Sequence, residues 1–458
     1  MKFVAEACGA EMEANAGEVR VKNVVTNSRQ AQAGDLFFAI KGEKFDGHDF
    51  INEVAAKGVA AVVVAKAQVD RLKAKAAGAA ILAVEDVRRA FGKLAAAYRR
   101  DFSVPVIAVG GSNGKTTTKE LLAAVLRRKF STLASEASFN NDIGVPATLL
   151  RLEKTHQVAV LETGTNHPGE LAPLVKMSAP NIGVITNIGR EHLEFFGDVA
   201  GVAEEEGGLA ELLPADGKLF LHGDGEWPEK IAARTKAKVV RVGLGEKNDW
   251  RATKIRLDKN GVTFQVVAPT EDLCGEYRVN LLGRHQVTNA LLAISVGGEL
   301  GLARAEIQRG LAECQPPKMR LQFWEANGVR VLDDCYNANE DSMIAALETM
   351  CDLPLQGRRV AVLGDMAELG AHTEAAHAEV GRRAAELKIG QLFTVGKAAA
   401  GMAQAARAAG LTRVIEFDEV EAAVRAVKNF LKPGDVVLLK ASRSSRLERI
   451  AETLKAGK

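Results

Sequence analysis

The most constraining feature of this 458-residue chain is a strand, a glycine loop and a helix that follow one another between Val104 and Leu126. The run VPVIAV is almost wholly apolar, which is typical of a strand buried on both faces of a parallel sheet. The loop GGSNGKTTT follows it, and the leucines and valine of residues 121–126 mark the apolar face of a helix. This order predicts a phosphate-binding loop, because glycines let the backbone approach phosphate groups and helix N–H groups point at the anion.

Six positions of this loop, from Gly111 to Thr116, match the shorter form of a nucleotide-binding motif, G-x-x-G-K-T. In such a motif the lysine, here Lys115, reaches the β- and γ-phosphates, and the threonine hydroxyl lies on Mg²⁺. The longer form of the motif would have a glycine at the position of Val109. An ordinary glycine turn with a solvated lysine is the alternative interpretation. The motif alone fits a switch, a transport motor, a kinase or an ATP-driven ligase.

The composition argues against several classes of protein. Lysine and arginine number 60 against 58 acidic residues, a formal net charge of +2, which gives no indication of a nucleic-acid partner or a membrane surface. The five cysteines lack metal-ligand spacing and read as reduced thiols. The N-terminal segment is acidic where a signal peptide would be apolar, and no apolar run has the length of a membrane helix. We therefore expect a cytoplasmic protein, monomeric, not inserted in a membrane and not bound to nucleic acid.

The pattern of strands and helices divides the chain into three α/β domains, at residues 1–103, 104–314 and 315–458. The first is small, with strands near 35–40 and 59–64 and a helix near 87–100. The second is a P-loop-type domain with a mixed or parallel sheet, and strand-like alternation between 249 and 276 predicts a peripheral part of it. After a proline linker, the third domain repeats βα units and predicts a second, Rossmann-like doubly wound sheet.

Three predicted strands of the central domain, at 104–109, 157–161 and 182–188, have polar side chains just beyond their carboxyl ends. Lys115 and Thr116 follow the first, Glu162 the second and His192 the third. Open α/β sheets bind ligands at this edge, so we expect the four side chains to face one metal and substrate site. Taken singly, a glutamate or a histidine at such a place is more often a cap or a surface residue.

The segment GGSNGKTTTKE resembles the Mur ligase superfamily, whose members are ATP-dependent amide-forming enzymes of peptidoglycan precursor synthesis. The resemblance extends over nearly the whole chain, through GDLFFAIKGEKFDGHDF, NNDIGVPATLL, LETGTNHPGEL, TNIGREHLEFFG, DDCYNANEDSM and GDMAELG. Within the family, FDGHDF and YNAN are similar to the member that joins D-alanyl-D-alanine to UDP-N-acetylmuramoyl-tripeptide. The resemblance implies these two substrates, an acyl phosphate formed from ATP, and a third domain that closes over the nucleotide.

The resemblance also implies a role for each matched residue, with ATP and Mg²⁺ as cofactors. The implied catalytic residues are Lys115, Glu162 and His192. The implied nucleotide contacts are Gly111, Ser112, Asn113, Gly114, Lys115, Thr116, Thr117, Asn289, Arg320 and Asp334. The implied substrate contacts are Ser28, Arg29, Lys41, Asp46 and His48 for the uridine diphosphate sugar, Asn140 and Asn141 in the central domain, and Tyr336, Asn337 and Asn339 for the dipeptide. The implied metal ligands are Thr116, Glu162, His192 and Glu206.

The chain departs from the family pattern at three places. Glu206 occupies the position of a lysine that is typically carbamylated to offer a carboxylate to a second metal, and Gly208 replaces the acid that follows it. Met319 and Ala441 stand where glycines are usual. A glutamate supplies carboxylate oxygens directly, so we hypothesise that Glu206 replaces the carbamate beside His192 without dissolved CO₂. The alternative is a solvated helix acid within the run of glutamates at 204–206.

Two other functions are compatible with these motifs. One is a different amide ligase of the superfamily, either a sibling adding another amino acid or a folylpolyglutamate synthase, although FDGHDF and YNAN argue against it. The other is a nucleotide-binding regulatory protein that keeps the phosphate loop without turnover, which the Glu206 substitution leaves open. A requirement of ADP release for both substrates distinguishes a ligase from a regulatory protein.

Overall fold

The computed structural model describes residues 1–12, 18–76 and 78–456, and its strands form three sheets of five, nine and six strands. Helices pack on each of these sheets. This arrangement confirms the predicted α/β fold with three sheet-containing domains, the central and third sheets being mainly parallel. Within the described part of the chain, no helix combines the length and apolarity that crossing a membrane requires.

The first sheet is small and has the order β1-β5-β4-β3-β2, in which only β1 runs antiparallel to its neighbour. Phe37 and Phe38 point to opposite faces of β3, and Phe38 lies 5.0 Å from Phe91 between ring centroids. The predicted strands at 35–40 and 59–64 and the helix at 87–100 are found within a few residues of their expected limits. The elements are β1 (Glu11–Met12), β2 (Val24–Val25), β3 (Leu36–Phe38), β4 (Ala61–Ala65), β5 (Ala80–Val84), α1 (Lys2–Cys8), α2 (Ile51–Ala56), α3 (Val69–Leu72) and α4 (Val87–Arg99).

The central sheet has the order β14-β13-β12-β11-β10-β9-β6-β8-β7. Its strands are β6 (Val106–Gly110), β7 (Thr132–Ala134), β8 (Val158–Glu162), β9 (Ile182–Ile185), β10 (Lys218–His222), β11 (Lys238–Gly243), β12 (Trp250–Asp258), β13 (Gly261–Val267) and β14 (Gly275–Val279). The helices are α5 (Lys115–Leu126), α6 (Gly144–Leu149), α7 (Leu171–Ser178), α8 (Leu193–Phe196), α9 (Val199–Glu211), α10 (Pro228–Ala232), α11 (Gln286–Glu299) and α12 (Arg304–Glu313).

Strand β6 is an interior strand of this sheet, and each of its residues is buried. It pairs in parallel with β8 on one side and with β9 on the other. The three strands that the sequence predicted to carry the site are therefore neighbours, and their carboxyl ends meet at one edge. The alternation between 249 and 276 corresponds to the antiparallel strands β12 to β14, which extend the far side of the sheet.

The third sheet has the order β15-β16-β20-β17-β18-β19, and five of its strands are parallel. These five were predicted, but the antiparallel edge strand β15 was not. The strands are β15 (Gln322–Ala326), β16 (Val329–Asp334), β17 (Arg359–Gly364), β18 (Gln391–Val395), β19 (Val414–Phe417) and β20 (Val436–Lys440). The helices are α13 (Glu340–Asp352), α14 (Thr373–Glu386), α15 (Ala399–Ala408), α16 (Val420–Phe430) and α17 (Glu448–Lys455).

Candidate active site

The loop between β6 and α5 has the backbone of a phosphate cradle. Gly111 and Gly114 have φ angles of 105° and 86°, in the left-handed region that favours glycine. A Cβ atom on Gly111 would lie 2.5 Å from the hydroxyl oxygen of Thr186, and one on Gly114 would lie 2.5 Å from Oδ1 of Asn289. Both glycines are therefore required by close packing as well as by their backbone angles. Lys115 follows the loop directly and is the first residue of α5.

The ammonium group of Lys115 lies among carboxylates. Its Nζ donates to the carbonyl of Ser112 at 3.0 Å and to Oε2 of Glu191 at 3.1 Å. Burial lowers the pKa of Lys115, but attraction to Glu191, Glu206 and Glu162 outweighs burial and the net shift of the pKa is upward. The lysine therefore stays charged, as the stabilisation of a transferring phosphoryl group requires.

Thr116 and Glu162 face each other across the ends of α5 and β8. The threonine hydroxyl donates to Glu162 Oε1 at 3.1 Å, and Asn140 Nδ2 donates to the same oxygen at 2.9 Å. The other carboxylate oxygen, Oε2, is buried and has no hydrogen-bond partner among the described residues. Burial raises the pKa of Glu162, against the opposing influence of nearby Lys119, Arg320 and Lys115. A buried free carboxylate oxygen beside a hydroxyl group suits Mg²⁺, which takes oxygen ligands.

His192 is held in place by the third domain. Its Nδ1 lies 2.5 Å from Oε2 of Glu368, which belongs to the GDMAELG segment after β17. Its Nε2 lies 3.9 Å from Oε2 of Glu191. A carboxylate on one ring nitrogen fixes the orientation of a histidine and leaves the other nitrogen for a metal or a substrate.

Arg320, from the segment before β15, reaches into the nucleotide site. Its Nη2 donates to Thr116 Oγ1 at 3.2 Å, and its guanidinium carbon lies 4.2 Å from the ring centroid of Tyr336, a cation–π distance. Met319 precedes it with a φ of 56°, so this turn has a left-handed backbone at a position where the family usually has glycine. The arginine therefore keeps a defined position although the glycine is absent.

The end of β16 and the turn that follows it also lie close to the phosphate loop. Asn339 caps α13 by accepting the N–H of Ser342 at 2.9 Å, and its Nδ2 donates to Asn113 Oδ1 at 3.0 Å. Asp334 accepts the N–H of Leu321 at 3.1 Å and pairs with Lys440 at 2.6 Å.

These side chains line a single cavity of about 450 Å³ between the central and third sheets. The predicted residues in its wall are Ser112, Asn113, Gly114, Lys115, Thr116, Thr117, Asn140, Glu162, His192, Asn289, Arg320, Asp334, Tyr336, Asn337 and Asn339. The structure thus brings the predicted central and third-domain residues together. The predicted residues of the first domain, together with Gly111, Asn141 and Glu206, do not line it.

His48 has a structural role that differs from its predicted contact with the sugar nucleotide. The N–H of Ala65 donates to its Nε2 at 3.0 Å, so its Nδ1 carries the proton and donates to Asp46 Oδ1 at 2.6 Å. Gly47 between them has no space for a side chain, because a Cβ would lie 2.7 Å from the backbone of Ala39. Both ring nitrogens are therefore used inside the fold; the substrate contact of His48 stays a prediction, which the variant His48→Ala tests.

The other predicted residues outside the cavity fall into two groups. Oδ1 of Asn141 accepts the N–H groups of Ile143 at 3.2 Å and Gly144 at 2.9 Å at the start of α6, and its assignment as a substrate contact stays a prediction. Ser28 is buried and its carbonyl binds Lys57. Arg29 and Lys41 are exposed, so their side chains are free to meet a ligand, and their assignment stays a prediction.

Glu206 lies beneath the phosphate loop and not in the wall beside His192. It is fully buried, and its Oε2 accepts the N–H of Gly111 at 2.6 Å. The alternative that it is a solvated helix acid is therefore wrong. Its role as a metal ligand beside His192 stays a prediction: Glu206 is not part of the cavity wall that contains His192 and Glu191, and its Oε1 has no hydrogen-bond partner among the described residues.

Sequence reasoning missed four charged residues of the site, Glu191, Asp341, Glu368 and Lys440. Lys440 ends β20 at the ligand-facing edge of the third sheet, so the rule applied to the other strands would have found it. Glu368 lies in the GDMAELG segment, which carries part of the family resemblance but gave no role to this residue. Glu191 has no signal beyond its position next to His192.

A phosphate loop, a threonine–carboxylate pair and an arginine from a second domain, all in one cavity, define a multidomain α/β protein that acts on a nucleotide. Three family models match the chain in order: "Mur ligase family, catalytic domain" over residues 20–99, "Mur ligase middle domain" over 109–297, and "Mur ligase, glutamate ligase domain" over 319–443. The chain belongs to the Mur ligase family.

Individual relatives match the chain from end to end. The UDP-N-acetylmuramoyl-tripeptide–D-alanyl-D-alanine ligase of Escherichia coli is 36% identical over 451 residues, which cover 96% of this chain and 95% of the relative. The crystal structure of MurF from Acinetobacter baumannii is 32% identical with a TM-score of 0.89, covering 99% of this chain and 98% of that one. MurF ligase from Thermotoga maritima in complex with ADP is 27% identical with a TM-score of 0.82, covering 96% and 98%.

Proposed function

We propose that this protein is an ATP-dependent amide ligase that joins D-alanyl-D-alanine to UDP-N-acetylmuramoyl-tripeptide, a step of peptidoglycan precursor synthesis. The observation that carries the proposal is the convergence of Lys115, the Thr116–Glu162 pair and Arg320 on one cavity. Relatives that bear the name of this activity match almost the whole chain. The ADP complex of the Thermotoga relative supports ATP as the nucleotide.

The reaction needs ATP because a carboxylate is a poor acyl donor. A carboxylate oxygen of the tripeptide attacks the γ-phosphorus, the bond from that phosphorus to the bridging oxygen breaks, and ADP leaves with the electron pair. The dipeptide amine then attacks the carbonyl carbon of the acyl phosphate, loses a proton, and inorganic phosphate leaves. Lys115 and Arg320 supply positive charge for the first step, which depends on positioning and electrostatic stabilisation.

We propose that Thr116 and Glu162 hold Mg²⁺, with His192 available to a second metal. The buried Glu162 Oε2, which lacks a partner among the described residues, is the oxygen that fits the ion best. Bound there, Mg²⁺ would neutralise charge on the phosphate oxygens. Asn140 fixes the carboxylate that would hold it.

The substrates would divide among the three parts of the chain. Residues 1–103 would bind the uridine diphosphate sugar, with Arg29 and Lys41 as exposed cations suited to a diphosphate. Residues 104–314 would bind ATP. Residues 315–458 would bind the dipeptide through Tyr336, Asn337 and Asn339, whose segment lines the cavity beside Arg320. The water exclusion that an acyl phosphate needs would follow from this shared cavity.

We propose further that a single chain is sufficient for activity, since all these side chains belong to one chain. The five cysteines are unpaired, which is usual for proteins of the reducing cytoplasm.

The test is a reconstituted reaction. Purified protein, ATP, Mg²⁺, UDP-N-acetylmuramoyl-tripeptide and D-alanyl-D-alanine are expected to give the UDP-linked pentapeptide by mass spectrometry, with one ADP released per product. Omitting either substrate is expected to abolish ADP release, and replacing the dipeptide by L-glutamate tests the alternative ligase. Nucleotide binding without ADP release in the complete mixture would instead identify a regulatory protein.

A further inference from the structure

Three consecutive glutamates of α9 have three different partners. Glu204 is exposed and pairs with Arg234 at 3.2 Å. Glu205 accepts two backbone N–H groups at 2.8 Å, those of Gly169 and Leu171. Glu206 accepts the N–H of Gly111 at 2.6 Å. Two neighbouring carboxylates of one helix therefore bind the backbones of two different loops.

Three consecutive backbone N–H groups of the phosphate loop, those of residues 111–113, have acceptors inside the protein, and Glu206 is the first of these acceptors. After Gly111, the N–H of Ser112 donates to the carbonyl of Asn187 at 2.9 Å, and the N–H of Asn113 donates to its side-chain Oδ1 at 2.8 Å. The first part of the loop is thus fixed from below by α9 and by the residues after β9. The N–H groups at the start of α5 have no partner within the helix and are left for an anion.

Burying the carboxyl group of Glu206 costs free energy, which a hydrogen bond must offset. Burial raises the pKa of its carboxyl group to about 7, with Lys115 acting in the opposite direction. A buried carboxyl group without hydrogen bonds is strongly unfavourable, and a bond from a backbone N–H offsets part of that cost. Its second oxygen, Oε1, has no hydrogen-bond partner among the described residues, so Gly111 is its principal polar contact.

Helix α9 is suited to hold the loops rigidly. Asp198 caps its N-terminus by accepting the N–H of Gly201 at 2.9 Å. On the face towards the sheet, Leu209 and Ala210 are fully buried in a core cluster with Ala108 of β6. A helix fixed at its end and along one face moves little relative to the sheet that carries the loop.

We propose that Glu206 is a positioning residue that sets the geometry of the phosphate loop through Gly111, and that Glu205 does the same for residues 163–170. This inference rests on the nucleotide site proposed above. The second loop contributes Thr165 and Asn166 to the cavity wall. One turn of α9 thereby aligns two walls of the nucleotide site, and Glu206 acts on ATP through the backbone and not through a metal ion.

Nucleotide affinity measured without metal tests this role. ADP binding is measured by calorimetry in EDTA for the full-length wild type and for Glu206→Gln, Glu206→Asp and Glu206→Ala. The glutamine keeps an oxygen acceptor at the same reach, the aspartate keeps the charge but shortens the reach, and the alanine removes both. Glu204→Gln is the matched control, because it changes an exposed glutamate of the same helical turn.

If Glu206 is a positioning residue, the ADP affinity of Glu206→Gln should lie within about threefold of the wild-type value. The ADP affinity of Glu206→Asp and of Glu206→Ala should be at least about tenfold weaker than that of the wild type. Glu204→Gln should match the wild type. Should the alanine variant not fold, the aspartate variant decides, with hydrogen exchange of the peptide containing Gly111 expected to quicken. Unchanged ADP affinity in EDTA for a folded Glu206→Asp or Glu206→Ala protein would overturn the inference. Failure of the wild type itself to bind ADP would instead contradict the proposed nucleotide site.

Discussion

Arg320 and Thr116, 204 residues apart in the sequence, are joined by a hydrogen bond of 3.2 Å from Nη2 to Oγ1. The arginine comes from the segment leading into the third sheet, and the threonine from the first turn of α5. The same hydroxyl donates to Glu162. The nucleotide site is therefore completed by a residue from outside the domain that carries the phosphate loop.

The first prediction concerns Lys115. Lys115→Ala should lower kcat by at least roughly 10²–10³-fold, because preorganised positive charge at the transferring phosphoryl group is lost. ADP release under saturating substrates measures this, with circular dichroism to verify folding. Lys230→Ala, which changes an exposed lysine of the same domain, should retain wild-type turnover. Near-normal turnover in a folded Lys115→Ala protein would contradict the proposed role.

The second prediction concerns the geometry of Arg320. Arg320→Lys should raise KM for ATP about tenfold or more, because an ammonium group lacks the planar fork that contacts Thr116 while stacking on Tyr336. Steady-state kinetics with varied ATP measure this. Arg382→Lys, at an exposed ion pair on α14, serves as the control. Full function of Arg320→Lys would show that only the charge matters there.

The third prediction separates the substrates. Arg29→Ala and Lys41→Ala should raise KM mainly for the uridine nucleotide, and Asn337→Ala mainly for the dipeptide, because these side chains lie in different domains. His48→Ala should instead lower Tm with little change of either KM in the folded protein, since both of its ring nitrogens are bonded internally. Opposite pairing of the KM effects would reverse the roles proposed for the end domains.

The fourth prediction distinguishes two buried carboxylates. Glu162→Gln should raise the Mg²⁺ concentration for half-maximal rate, because a neutral amide is a weaker ligand for a hard cation. Glu206→Gln should leave that concentration within about twofold of wild type, because its carboxylate binds Gly111. A magnesium titration at saturating ATP compares them. An increase for Glu206→Gln alone would instead support the sequence-based assignment of Glu206 to the metal.

The fifth prediction concerns pH. Burial raises the pKa of Glu206 from 4.5 to about 7, so the folded protein holds this proton more tightly than the unfolded chain. The resulting stability is fully present below pH 4.5 and is lost as the pH rises through 7. The Tm of ligand-free Glu206→Gln should therefore rise relative to that of wild type between pH 5 and pH 8, by about 2 °C or more. A difference in Tm that is constant with pH would contradict the shifted pKa.

Much of the site was predictable because strand ends in a parallel sheet meet at one edge. The apolar runs before Lys115, Glu162 and His192 defined three strands, and their parallel pairing placed the side chains together. The segments after β16 and β17 reach the cavity for the same reason. Local sequence was sufficient here because buried parallel strands are nearly continuous apolar runs.

Other features were not predictable or were overlooked, for different reasons. The face of α9 that carries Glu206 is set by packing on β6, and an acidic run gives no sign of which member turns inward. His48 was ambiguous because a turn and a binding site use the same residue types. Strand β15 was overlooked although Asn327-Gly328, both with positive φ, forms the two-residue turn typical of a hairpin.

The anchoring of Gly111 by Glu206 has a consequence for synthesis on the ribosome. The two residues are 95 positions apart, and the other acceptor of the loop, Asn187, lies between them in sequence. A nascent chain that has emerged only as far as β8 contains the whole G-x-x-G-K-T motif but neither acceptor. The motif is therefore among the first parts of the central domain to be made, but its loop can acquire its anchored shape only after the chain has emerged as far as Glu206.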